Sequence, residues 1–473
     1  MMVFRDLAEY SVEHALKLGA DYAEARFQED RTVEYVVKNG VPEVVGVDMS
    51  RGIGIRVIVD GALGFASANR PEKKVVEEAV KAAVDMARAS VRTLKSPVRM
   101  SEEEVNVDRW EVESRKPLED VSDEDKMELL TDLDRASTSV GVKIPYRLFE
   151  LIEMRTVKHF VNSDGARVEG LATRILFAGF LTAFEAGATE QDMIEVGGSG
   201  GWEVVEGWNL VDKVSKRAET LGRILREAKP APKGKLDLVL GSQVVGLVVH
   251  ESVGHPYEAD RILGREAAQA GESFVKPDML GQKIGSDVAT VVDDPTIEGS
   301  YGYYLYDDEG VRARRRYLMK NGVINEFLHN RETAAEMGFR SNASARACRY
   351  DVEPLIRMAN TFMLPGDMTF EELLEDVKLG VYMKTFGEWN IDDRRFNMRF
   401  VGRECYMIRN GELSEMVRRP TLEITTPALY RSIDAVDRNL SFEAATCGKG
   451  DPVQGVPVWH GGPNVRLRGI VLR

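Results

Sequence analysis

Lys235-Leu236-Asp237-Leu238-Val239-Leu240-Gly241-Ser242-Gln243-Val244-Val245-Gly246-Leu247-Val248-Val249-His250-Glu251-Ser252-Val253-Gly254-His255 is the run around which the chain is organised. Leu236 to Leu240 reads as a strand, Ser242 as an N-cap, and Gln243 onward as an apolar helix. That helix ends in two of the six histidines of the 473-residue chain, with Glu251 between them. Two imidazoles can hold a Zn²⁺, and a carboxylate beside them can take a proton from an attacking water. The spacing is HExxxH, however, and not HExxH. On a straight α-helix, positions i and i+4 lie about 40° apart, whereas i and i+5 lie about 140° apart. The motif therefore predicts a helix that bends or ends within it, with Gly254 and Pro256 as the breaking residues.

A catalytic zinc wants three protein ligands and an open position. One candidate for the third is Cys447, in Ala445-Thr446-Cys447-Gly448-Lys449-Gly450. The glycines around Lys449 allow a turn that presents the sulfur, and Lys449 would help hold it as thiolate. Taken alone, Cys447 also reads as a small buried hydrophobe, as do Cys348 and Cys405 in strand-like stretches. The competitor is His460, whose neighbours Gly461, Gly462 and Pro463 mark an exposed loop. Glu258 and Asp260 are placed to orient His250 or His255 by hydrogen bonds, or else to lie in solvent.

The fold class reads as α+β. Residues 1–95 form an N-terminal α+β subdomain with hairpin signals at Asn39-Gly40 and Asp60-Gly61. Residues 96–120 are polar and read as a linker, and 121–230 read as a second α+β subdomain with a helix capped at Ser122. Lys229-Pro230-Ala231-Pro232-Lys233-Gly234 marks a boundary. Residues 235–473 form a strand-rich domain carrying the metal-site helix, with hairpins at Asn321-Gly322 and Asn410-Gly411 and a capping box at Thr369 and Glu372.

A net charge of −14 argues against a nucleic-acid surface. The one dense basic patch, Arg312 to Arg316, stands near Asp307, Asp308 and Glu309 and reads as a solvated, self-neutralised face. Three cysteines do not make a disulfide framework. No apolar run approaches the roughly 20 residues needed to span a bilayer, and the N-terminus lacks a leader pattern. A soluble, cytoplasmic protein is expected, with no membrane partner. Gly197-Gly198-Ser199-Gly200-Gly201 lacks a following Lys-Ser/Thr and reads as a flexible, substrate-facing loop and not a phosphate loop. Gly52-Ile53-Gly54 precedes its strand where a dinucleotide fingerprint must follow one.

Taken together, these segments resemble the TldD/PmbA family, on its metal-bearing TldD branch. The resemblance is carried by Arg51 to Arg56, Gly64-Phe65-Ala66, the Gly197–Gly201 loop, and His250–His255 with Glu258 and Asp260. It continues through Val292-Asp293-Asp294, Asp307-Asp308-Glu309-Gly310, Met363-Leu364-Pro365-Gly366, Cys447-Gly448-Lys449 and Gly455-Val456-Pro457-Val458. Nearly the whole chain is covered. The resemblance implies zinc held by His250, His255 and Cys447, with Glu251 as general base. It implies a hydrolase, a metalloprotease acting on short or unfolded peptides, and an older label as modulator of DNA gyrase. It also implies a dimer, either a homodimer or a heterodimer with a metal-free PmbA/TldE-like paralogue. His460 departs from the small residue expected in the family's closing loop and is not carried over as a ligand.

Two other readings compete. HExxGH also occurs in dipeptidyl peptidase III enzymes, which share only these six residues and use a downstream glutamate as third ligand. A non-catalytic peptide-binding regulator or adaptor would keep the metal as a structural element, but a closed structural site needs no base, and Glu251 is intact. Substrate is expected to enter as an extended strand, pairing with edges near the Asn-Gly hairpins.

Overall fold

The computed structural model describes residues 2–185, 187–266 and 271–473. Its N-terminal half is built on one sheet. Strands β1 (Tyr22–Lys38) and β2 (Val41–Val59) turn at Asn39-Gly40, and β3 (Ala62–Ala68) follows at Asp60-Gly61. All four turn residues lie at positive φ, between 49° and 79°, the backbone that two-residue hairpins require and that Asn, Asp and Gly adopt most readily. Strands β4 (Val107–Glu111), β5 (Lys143–Asn162), β6 (Arg167–Glu185) and β7 (Ala188–Ser199) complete the order β3-β2-β1-β5-β6-β4, with β7 also on β6. β1 and β5 pair antiparallel from Glu24↔Asn162 to Lys38↔Leu148. Residues 1–95 and 121–230 thus share a sheet, and the 96–120 segment, read as a linker, supplies β4 beside β6.

Helices cover one face of this sheet. Helix α1 (Met2–Lys17) and helix α2 (Lys73–Ser90) enclose a core with β1 and β2, in which Ala8, Val57, Val80 and Val84 meet. Gly64 is required on β3 because a Cβ there would lie 2.0 Å from Ala83 O of α2. Helix α3 (Asp123–Thr138), capped by Ser122 as its sequence predicts, and helix α4 (Leu210–Glu227) cover β5 and β6 through Leu133, Phe149, Phe177 and Leu221.

The C-terminal half has two large sheets and a two-stranded one, Ala345–Arg346 with Leu355–Ile356. In the ten-stranded one, strand Gly234–Leu240 lies between Leu379–Met383, parallel, and Val465–Leu472, antiparallel. In the six-stranded one, strand Gln454–Gly462 lies between Asn360–Met363, parallel, and Ser441–Lys449, antiparallel. The helix Ser242–Val249 leaves the first strand through Gly241, which is the N-cap in place of the expected Ser242. A Cβ at Gly241 would lie 2.4 Å from Lys384 O. Past its first two residues the helix is apolar all round, and Val244 to Val249 are all buried. Its valines share one core with Val381, Met383 and Leu467 of one sheet and Met363 and Val458 of the other. That places the histidine motif in the interior of the domain.

The remaining face of the N-terminal sheet meets the C-terminal half through one buried and one partly buried ion pair. Arg56 donates to Glu309 at 2.6 Å and Lys158 to Asp308 at 2.8 Å, while the amide of Arg331 donates to Glu309 at 2.7 Å. The Asp307–Gly310 motif is thus a joint between the halves. Two surface readings are corrected by the packing. The Gly197–Gly201 run is not a flexible substrate loop: a Cβ at Gly197 would lie 2.8 Å from that of Ala444, and one at Gly198 would lie 2.9 Å from Gly299 O. Trp459 Nε1 also donates to Gly197 O at 2.7 Å. The basic patch is not wholly solvated, since Arg316 is buried against Asp293 and Arg315 reaches Asp294 at 2.7 Å. Among the described residues, no helix is long and apolar enough to cross a membrane.

Candidate metal centre

The Ser242–Val249 helix changes its hydrogen-bonding period at the motif. The amide of His255 donates to His250 O, an i→i+5 bond, so His250–Gly254 forms one π-turn and His255–Tyr257 a short 3₁₀ turn. In a π-turn the i+5 residue sits over residue i, the place that i+4 holds in an α-helix. The irregular spacing is accommodated by widening the helix, where a bend or an end was expected. Gly254 keeps helical angles, φ −55° and ψ −70°. It is glycine for space: a Cβ would lie 1.9 Å from Met358 Sδ.

Gly254→Ala should therefore destabilise the fold by about 1–3 kcal/mol, the usual cost of overpacking a filled core. Urea denaturation measures this. An unchanged midpoint would mean that Met358 moves aside freely and the close approach is not required.

The two imidazoles stand edge to face, with ring centroids 4.9 Å apart. Cys447 Sγ lies 3.4 Å from His255 Nε2. The ligand atoms of His250, His255 and Cys447 all lie within 4.8 Å of one another, and all three residues are buried. Ligands 2.0–2.3 Å from a tetrahedral ion lie about 3.5 Å from each other, so the two-nitrogen, one-sulfur set fits zinc in both chemistry and spacing. Cys447 reaches the site from strand Ser441–Lys449, not from the turn expected after it. Burial alone would push its thiol up, but His255, His250 and Arg357 hold it well below the usual thiol range. Arg357 donates to the main-chain oxygens of Cys447 and Gln454 and so ties this strand to its neighbour. Cys348 and Cys405 are not brought to the site.

Lys449, expected to act on the thiol, serves the histidine instead. His255 Nδ1 is 3.1 Å from Glu258 Oε2, which leaves Nε2 facing Cys447. Glu258 also accepts from Arg261 at 2.9 Å and lies 3.1 Å from Lys449 Nζ. Burial would raise the Glu258 carboxyl, yet Lys449, His255 and Arg261 hold it well below the usual carboxylate range. An ionised Glu258 fixes the tautomer and direction of His255. Asp260 acts one step further out by accepting from Lys449 at 2.7 Å.

His460 is not on an exposed loop. It is buried in strand Gln454–Gly462, where helix residue Gly246 leaves room for its ring. Its centroid lies 6.0 Å from that of His250, and it falls outside the three-ligand cluster. Burial and the neighbouring His250 pull its pKa down to about 3, so the ring is neutral.

One contact was invisible in the sequence. Arg395 donates to Glu251 Oε2 from a position 144 residues away. It occupies the turn between strands Phe386–Ile391 and Asn397–Gly402 at φ 64°. Thr426 Oγ1 donates to its carbonyl at 2.8 Å, which fixes this backbone. The only local signal is a polar turn, Asp392-Asp393-Arg394-Arg395, which says nothing of its partner.

The family model described as the PmbA/TldA metallopeptidase C-terminal domain matches residues 233–473. The chain belongs to this TldD/PmbA family. The family's domain 1 matches residues 23–87 and its central domain residues 116–221. Among curated relatives, a metalloprotease of Methanothermobacter thermautotrophicus is 33% identical over 448 residues, 95% of this chain and 94% of the relative. A zinc metalloprotease TldD homolog of Saccharolobus solfataricus is 25% identical, covering 97% of each. Among solved structures, a candidate modulator of a DNA gyrase from Thermotoga maritima shares the fold with TM-score 0.79 at 19% identity, covering 99% of this chain and 100% of that one. TldE from Thermococcus kodakarensis shares it with TM-score 0.72 at 17% identity, covering 99% of each. The mixed helix-and-strand architecture read from the sequence is the architecture of these TldD/PmbA neighbours.

Proposed function

We propose that the chain is a zinc-dependent peptidase acting on short or unfolded polypeptides, with Glu251 as general base. The observation that carries this is the buried His250–His255–Cys447 cluster, with Glu251 buried next to His250 in the same π-turn. Zinc bound there would supply Lewis acidity toward a peptide carbonyl and an attacking water. Glu251 takes the proton from that water and passes it to the leaving amine nitrogen. Arg395 fixes the direction of the Glu251 carboxylate, and Glu258 fixes His255. Cys447 stands where the dipeptidyl-peptidase-III-like reading needs a glutamate, which favours the TldD-like chemistry.

Burial of the site supports the substrate part of this reading. Both motif histidines, Glu251 and Cys447 are only 3–7% exposed, so a folded domain cannot present a bond to them, whereas an extended segment can. The Asn-Gly hairpins do not support the strand-edge version of this reading. Gly322 donates to Ala289 O and Gly411 to Val377 O, and both turns are tied into the body of the domain. We further propose a dimer, with a second copy or with a metal-free paralogue, a reading that rests on the resemblance to the family.

Purified protein should carry one zinc per chain, lose cleavage of an unfolded polypeptide on chelation, and regain it on adding zinc. Cleavage that survives complete metal removal would overturn the reading. In sedimentation, a monomer that persists in the presence of the paralogue would overturn the dimer.

A further inference from the structure

We infer a second ligand site, for a small organic carboxylate, in a cavity of about 250 Å³ between the N-terminal sheet and strand Gln454–Gly462. Lys158, Arg174 and Arg346 line it together with the aromatic rings of Trp110, Tyr304 and Tyr306. Arg174 donates only to main-chain oxygens, Tyr301 O at 3.0 Å and Tyr303 O at 2.8 Å. Arg346 does the same, to Met358 O at 2.6 Å and Pro457 O at 2.8 Å. Among the described residues, neither guanidinium pairs with a carboxylate.

Three of the four acids that line the cavity are already engaged, and the fourth, Asp48, is exposed at its rim. Both oxygens of Asp308 take Lys158 at 2.8 Å. Asp307 accepts the amides of Glu309, Val311 and Ala345 at 2.9–3.1 Å. Asp30 accepts from Thr156 and Gln28, each at 2.8 Å. Two buried positive charges therefore stand near each other without a direct counter-charge. Burial and Arg346 pull the Arg174 guanidinium down to about 10, and an anion between the two would relieve both. A guanidinium fork matches the two coplanar oxygens of a carboxylate, while the three rings offer apolar contact to the remainder of the ligand. The volume falls below the roughly 300–1,000 Å³ of sites for drug-sized ligands, which suits a molecule of few heavy atoms.

This cavity is not an extension of the metal centre. Val456 pairs with Cys447 and shares its core, and Gly455, Val456 and Pro457 all border the cavity, but none of His250, His255 and Cys447 lines it. A strand separates the two sites.

The test titrates the zinc-loaded full chain with N-acetylglycine and with N-acetylglycinamide, following calorimetry and tryptophan fluorescence. The acid should bind saturably and the amide about tenfold or more weakly, the loss expected with a charge-assisted pair. The fluorescence change should vanish in Trp110→Phe while calorimetric binding persists. Arg346→Gln should weaken acid binding by a similar factor with an unchanged circular dichroism spectrum. The acid–amide comparison needs no variant, so a failure of Arg346→Gln to fold leaves the test standing. Equal affinity for acid and amide, no binding of either, or a fluorescence response that survives in Trp110→Phe would overturn the site. Inorganic phosphate that displaces the acid with higher affinity would overturn the carboxylate class. Every readout is binding, so failure here is separable from failure of the peptidase reading.

Discussion

Glu251→Gln is expected to lower peptide cleavage by about 10²–10⁴-fold, the usual contribution of a positioned general base, with the zinc content unchanged. The variant isolates proton transfer because glutamine keeps the shape of the side chain and its oxygen can still accept from Arg395. The three metal-ligand candidates are untouched, since Glu251 is not in their cluster. Metal analysis and initial rates on an unfolded polypeptide are measured on the same preparation. Normal cleavage by the variant would show that another group moves the proton. Loss of metal together with activity would move Glu251 from base to ligand.

Cys447→Ser is expected to weaken zinc binding by about 100-fold or more, because replacing residues that merely orient ligands already costs 10–100-fold. Zn²⁺ prefers a thiolate to a neutral hydroxyl. The substitution is conservative for the fold, since Arg357 grips the main-chain oxygen of this residue and not its side chain. Cys348→Ser and Cys405→Ser are the controls, as neither sulfur belongs to the cluster. Competition with a chromogenic chelator reads all three. Equal affinities would remove Cys447 from the site and promote a carboxylate or His460, whose ring lies 6.0 Å from that of His250.

Local chemistry was legible. The Asn39-Gly40 and Asp60-Gly61 hairpins, the Ser122 cap and the Thr369–Glu372 capping box stand where their residues predict, because each depends on neighbours a few positions away. His250 and His255 were legible in their motif, whereas Cys447 was set apart from His460 and the other cysteines only by the family resemblance. Contacts between segments distant in the chain were not. Nothing in Asp392 to Arg395 points to Glu251, and nothing in the 96–120 segment announces a strand that pairs with β6. The glycine run at 197–201 illustrates the ambiguity of that residue: the same composition serves mobility or close approach, and here Ala444 and Gly299 decide for close approach.

The π-turn can be regarded as an α-helix that has accepted one inserted residue. Excising a single position between Glu251 and His255 would restore the shorter HExxH period and leave both imidazoles on one face. It would leave the three-residue spacing from His255 to Glu258 unchanged, so that support would travel with its histidine. The extra residue therefore sets the spacing of the two imidazoles, while the support of His255 is local to its own turn. A search that demands the shorter period would pass over a centre of the same chemistry, because hydrogen-bonding period, and not letter count, determines which side chains converge.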